Sequence, residues 1–271
     1  MGLLVSLFAT ALCAIVYIRM YRRELPEPIG VKKAVIPVAL GLFSPIFSTA
    51  LVIAFGLLFT YTLGGSIQDR ISSPVLGAIV GSFFLAGFTE EFIKFLVFLL
   101  TVKIVKPKKV YEFGLLCAGV GFGFTALEET LYGGSGIATA VARIPMFAMH
   151  VVFGILMGTH IGLARYNKKE GIGEVGKHRF LAFFLPVLWH TLYDAGTTAN
   201  PGLRAEDEAM QVIYIIGGLI IIIASTVLQF IVLVRFRKNT ETYCGMELIQ
   251  PVPASGENGE PDDTESQDSP V

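Results

Sequence analysis

Four groups of residues in this chain are of the kinds that hydrolyse bonds, relay protons or bind metal, and each interrupts an apolar run. Glu90 and Glu91 are adjacent, with Lys94 one helical turn beyond Glu90 and on its face. Glu128 precedes Tyr132 by one turn, His150 precedes Gly154, and His190 precedes Asp194. An ionisable group in hydrocarbon costs about 3 kcal/mol or more, so it normally faces a polar interior and has work to do there. Two adjacent carboxylates resist joint ionisation, which suits one of them to act as a base near neutral pH. A neutral histidine can accept a proton, hold a metal or donate to a developing oxyanion. His190 and Asp194 fit an oriented imidazole–carboxylate pair, or two ligands on one helix face. Together Glu128, His150, His190 and Asp194 form a donor set that suits Zn²⁺ with a position left for water. The same groups could activate water without metal, and the HExxH helix of soluble zinc proteases is absent.

These residues need elements to hold them at one level. Of the 271 residues, 53% are hydrophobic and only 16% charged, and the mean hydropathy is +0.65. A soluble core cannot hide that share of apolar surface. Seven apolar stretches stand out, at 2–18, 38–63, 73–102, 113–132, 144–164, 180–198 and 210–234. A segment crossing ~30 Å of hydrocarbon must satisfy its own backbone hydrogen bonds, so each is expected to be a helix. The third is longer than a crossing needs and is expected to tilt, or to break near Gly87. Counted from the run ends, His150 lies about six residues deep, His190 about eight and Glu128 about one turn, a spread of only several ångströms.

Charge sets the direction. With the N-terminus outside, the inner segments carry Arg19, Arg22, Arg23, Lys32 and Lys33, then Lys103, Lys106, Lys108 and Lys109. Arg165, Lys168, Lys169, Lys177 and Arg179 follow, and finally Arg235, Arg237 and Lys238. Only Arg70, Arg143 and Arg204 fall outside, and Lys94 falls within a helix. That bias is the positive-inside pattern. The expected architecture is therefore an all-α, seven-helix polytopic membrane protein over residues 1–238, built around a polar cavity. Residues 239–271 are acidic and poor in apolar groups, and read as a disordered inner tail.

Other features carry less. The run Gly2 to Tyr17 lacks a basic region before it and is read as a retained first helix rather than a signal peptide. Cys13, Cys117 and Cys244 form neither a disulfide framework nor a CxxC site. Gly154, Gly158 and Gly162 indicate close helix packing. Gly119, Gly121 and Gly123 follow no strand and are not a dinucleotide fingerprint. Glu129 points about 100° away from Glu128, and His160 and His178 stand near the inner boundary, outside the group.

The four pairs resemble the signatures EExxK, FExxxY, HxxxG and HxxxD of the PrsW-type intramembrane proteases, in that order and each on its own helix. Leu127 stands where the second signature has Phe, and the resemblance spans about residues 80–198. It implies a multi-pass peptidase of the cell membrane that cuts a membrane-anchored protein, such as an anti-sigma factor in a regulated cascade. The family is distantly similar to the CAAX prenyl-protein proteases, whose EExxxR signature would need Arg at the position of Phe95. The implied catalytic residues are Glu90, Glu91, Glu128, His150, His190 and Asp194, supported by Lys94 and Tyr132. Zinc and a metal-free, glutamate-activated water both remain open. The expected partners are the substrate and the bilayer, with no nucleic acid. A CAAX-type protease or a proton-coupled transporter is the alternative; transporters commonly show paired half-repeats, and none is evident.

Overall fold

The computed structural model of the chain describes residues 2–25, 27–67, 70–133, 147–203 and 205–248. Arg143, Arg204 and residues 249–271 of the acidic tail lie outside the described residues. Within them the chain is all helical, apart from one isolated antiparallel bridge between Lys109 and Glu247.

Within the described residues each apolar run forms helix over most of its length. α1 is Gly2–Tyr21 and α2 is Val31–Leu63, which ends on Gly64 in the left-handed conformation, its N–H bonded to the Thr60 carbonyl. The third run begins at Ser73, whose hydroxyl accepts from Leu76 N–H, with Pro74 in the first helical position. It comprises α3 (Pro74–Ser82), a π-helical turn at Phe83–Gly87 and α4 (Phe88–Val105). α5 is Val110–Gly133, α6 Met149–Lys169, α7 Val175–Gly196 and α8 Glu208–Lys238. Several helices overrun their apolar stretches at basic ends, where Lys32, Lys33, Lys177 and Arg179 begin α2 and α7. Long cationic side chains can lie along apolar surface with their charge in water, so they need not end a helix.

α5 is the centre of the bundle. It packs on α6 most extensively, and also on α2, α1 and α4. Backbone approach makes this possible. A side chain on Gly121 would meet the His150 carbonyl of α6, and one on Gly123 would meet Val38 and Leu42 of α2. Gly154 and Gly158 of α6 likewise lie against Cys117 and Phe113. Tyr111, Phe113, Leu116, Val120 and Phe124 fill the core around this axis.

The outside is the reverse of a soluble protein. Phe43, Ile46, Phe47 and Leu57 of α2 and Ile213, Ile216, Ile220 and Ile223 of α8 are exposed. Such continuous apolar faces require lipid rather than water around them. Among the described residues four helices are long and apolar enough to cross a membrane: Gly2–Tyr21, Val31–Leu63, Val110–Tyr132 and Glu208–Lys238. The chain is a membrane protein.

The boundary drawn at residue 239 moves. Thr240–Gly245 forms a short helix, α9, in which Cys244 is buried and Tyr243 packs on Phe236. Val110 N–H donates to Met246 carbonyl at 3.1 Å, and Leu248 N–H to Lys108 carbonyl at 2.7 Å. Averaging composition over 239–271 hid the apolar start, Tyr243, Cys244, Met246 and Leu248, which this segment buries or pairs.

Candidate active site

The acidic pair stands in the first turn of α4, directly after the π turn. A π turn inserts one residue into the helical register and so re-aims everything beyond it. Gly87 closes that turn against α7, where a Cβ would meet the Thr191 hydroxyl and the Val187 carbonyl. This contact brings α4 near enough for Glu91 to reach His190, whose Nδ1 lies 2.8 Å from Glu91 Oε1.

Lys94 gathers the rest. Its ammonium donates to Glu91 Oε1 at 2.8 Å and to Glu90 Oε2 at 3.3 Å, and lies 3.0 Å from His150 Nδ1. The Phe124 ring supports it from one side, 3.8 Å from the ring centre. An ammonium cannot accept, so His150 Nδ1 is the acceptor and Nε2 carries the proton. That proton is donated to Glu128 Oε2, 2.7 Å away. Glu91, acting as acceptor, fixes the Nδ1–H tautomer of His190 in the same way. His190 Nε2 then faces Asp194 Oδ2 at 3.5 Å and Glu90 Oε2 at 3.7 Å. The two imidazole rings lie 5.3 Å apart.

Burial divides the group. Glu91, Lys94, His150 and His190 are almost fully enclosed, whereas the side chains of Glu90, Glu128 and Asp194 keep 17%, 14% and 15% exposure. The latter three are the carboxylates through which water can enter. Taken as ionised, four carboxylates face one ammonium, and that excess of negative charge is what a bound cation would offset.

Glu90, His150 and His190 offer ligand atoms that all lie within 4.8 Å of one another. Two imidazoles and a carboxylate are a donor set suited to a divalent zinc-like ion. Glu91, bonded to the back of His190, takes the outer supporting place. Of the sequence-derived ligand set, His150 and His190 belong to this triad with Glu90, while Glu128 is bonded to His150 and Asp194 lies 3.5 Å from His190. Counting depth from run ends could not see the π turn that aims Glu90 inward.

Three further placements can be set beside the expectations. α6 begins at Met149, so His150 stands in its first turn rather than about six residues deep. Tyr132 lines a separate cavity of about 530 Å³, with Tyr193, Asn200 and Ile215. His160 and His178 face each other, Nδ1 to Nδ1 at 2.9 Å, ten or more residues along their helices from the site. Sequence reasoning also passed over two supports. Phe124 gave no signal in an apolar run. Gln229, buried in α8, accepts from Ala148 N–H at 3.0 Å and so fixes the start of α6 beside His150. A lone amide within an apolar span was the available clue.

The chain is 34% identical over 132 residues to the "Protease PrsW" of Halalkalibacterium halodurans, covering 47% of this chain and 57% of that protein. It is 29% identical over 153 residues to the Geobacillus kaustophilus protein of the same name, covering 55% and 63%. With that of Bacillus subtilis it shares 32% over 127 residues, 45% of this chain and 56% of the relative. The chain thus spans between half and two thirds of the length of these curated relatives. No solved structure matches it. The family model described as PrsW family intramembrane metalloprotease matches residues 35–236, and with its span taking in every residue of the site the chain belongs to that family.

Proposed function

We propose that the chain is an intramembrane endopeptidase that hydrolyses a peptide bond of a membrane-anchored protein. The observation that carries this reading is the meeting of Glu90, Glu91, His150 and His190 around the buried Lys94 ammonium. Seven spans, an outer N-terminus and an inner tail in the cell membrane are the topology that goes with it. Every long helix beyond α3 then contributes to the site or to its frame.

The two glutamates divide the work. Both Lys94 and His190 bond to Glu91, so that carboxylate is engaged in orienting its neighbours. Glu90 is the more exposed and less engaged of the pair, and takes the proton of the attacking water. His190 Nε2 lies between Glu90 and Asp194, and as an imidazolium it would donate there to the developing tetrahedral oxyanion, while Glu128 and Lys94 hold the His150 ring in place. Asp194 holds the His190 ring from one turn further on. Glu90, His150 and His190 would hold a zinc-like ion, His150 giving up one of its present bonds, and activation of water would then pass from Glu90 to the ion through Lewis acidity and a lowered pKa.

The test uses purified full-length protein in proteoliposomes with a single-span substrate, an anti-sigma-type membrane protein being the first choice. Glu90→Gln, His150→Ala and His190→Ala are each expected to lower kcat at least ~100-fold, with the unfolding midpoint retained in Glu90→Gln. Undiminished cleavage by all three sinks the reading. Loss of cleavage on chelation and its return with Zn²⁺ would show metal dependence, and loss of bound zinc in Glu90→Gln, His150→Ala and His190→Ala would assign the ligand role to the triad.

A further inference from the structure

We propose that a slot between α6, α7 and α8, at the basic end of α8, binds a phospholipid whose head group carries net negative charge. The inference rests on residence of the chain in a bilayer and is independent of peptidase activity.

The slot has a volume of about 840 Å³, within the range of small-molecule sites. Its walls are Ile155, Leu163, Leu185, Leu228 and Ile231, which offer no hydrogen bond and suit an acyl chain. Its rim is different. Arg235 and Lys238 border it, both exposed, and neither has an acidic partner among the described residues. Arg237 adds a third positive charge on the same helix end. Basic side chains at the end of a membrane span attract anionic lipid, each by a modest amount that adds. A zwitterionic head group has a phosphate too, but its ammonium is repelled by the same cluster.

A second observation points to an occupant. Thr159 lines the slot, is buried, and has a hydroxyl with no hydrogen-bond partner. Elsewhere in the chain helical threonines bond back to the fourth preceding carbonyl, as Thr101 does to Val97, Thr191 to Val187 and Thr226 to Ile222. Thr159 departs from this habit within the slot. The hydroxyl lies against Gly114 of α5, closed to solvent, and a turn about χ1 would present it to a glycerol or ester oxygen of the lipid backbone.

Trp189 provides the readout, because it lines the slot and is the only tryptophan in the sequence. The full chain in lipid-free detergent micelles is titrated with brominated phosphatidylglycerol or brominated phosphatidylcholine, and quenching of its fluorescence is followed. Brominated phosphatidylglycerol is expected to quench at a mole fraction at least ~5-fold lower. Arg235→Gln with Lys238→Gln, both at exposed positions, should erase that preference. Leu228→Phe, which fills the slot, should reduce quenching by both lipids. Equal quenching by the two lipids in the unaltered chain overturns the proposal. So does a preference that survives both variants, or loss of quenching on formation of dimers through this face.

Discussion

Lys94, taken as ionised, is almost fully enclosed, and its partners are what make this affordable. Removing one member of a buried ionic cluster leaves the other uncompensated, at a cost of about 3–5 kcal/mol. Glu91→Gln is accordingly expected to lower the thermal unfolding midpoint in micelles as well as activity, whereas Glu90→Gln lowers activity alone. Adding Lys94→Met to Glu91→Gln should recover much of the lost stability but none of the turnover. Independent, additive losses in that double-mutant cycle would argue against the Glu91–Lys94 contact. At this scale the spacing was informative: the four-residue separation put His190 and Asp194 on one face, and the Nε2–Oδ2 distance of 3.5 Å agrees. Contact between helices was not informative, because nothing in an apolar run marks Phe124 as the ring beneath an ammonium. Phe95, where the CAAX signature would need Arg, packs on Phe183 at 5.8 Å.

Among the elements, the π turn at Phe83–Gly87 has the largest consequence for the site. Glu90 and Glu91 lie in regular α4, where four- and three-residue spacing puts both within reach of Lys94, and the π turn before them sets how the start of α4 faces His190. The break near Gly87 was legible as excess length; its π character was not, since hydropathy counts residues and is blind to register. Gly87→Ala places a methyl against Thr191 and Val187 and must push α4 from α7. Overpacking of this kind costs about 1–3 kcal/mol, and the Glu91–His190 bond should lengthen with it. We expect at least ~10-fold lower kcat with little change in KM; full activity in Gly87→Ala would show that the close approach is dispensable. The start of α6 was legible only roughly, because the side chain that fixes it, Gln229, comes from a helix 81 residues away.

For the molecule as a whole, the segments outside the spans set two measurable properties. Glu24, between α1 and α2, is buried, and burial pushes its carboxyl up to about 7, with Glu112 nearby adding to the effect and the Ile29 N–H bond opposing it. The folded chain therefore keeps this proton from pH 4.5 to about 7, where the unfolded chain releases it. Stability should be highest at the acid end of that window, fall as pH rises through it, and level off above. Glu24→Gln should flatten the profile and raise the midpoint at pH 8 by a few degrees, about. A profile unchanged by the substitution would remove Glu24 as its source. At the other end, a chain stopped after Lys238 should melt several degrees lower than one stopped after Leu248, since only the longer keeps Cys244 buried and the 108–110 pairing. Equal melting would make that pairing ornamental. The glycine contacts of α5 bear on how a second polypeptide could arrive. Gly121 and Gly123 hold α6 and α2 at backbone distance, so these interfaces have no side chains that could swing aside like a door. Entry must be borne by the periphery, where α2 beyond Pro45 carries Ile53, Leu57, Leu58 and Tyr61 on an outward face that yields to lipid more readily than to protein.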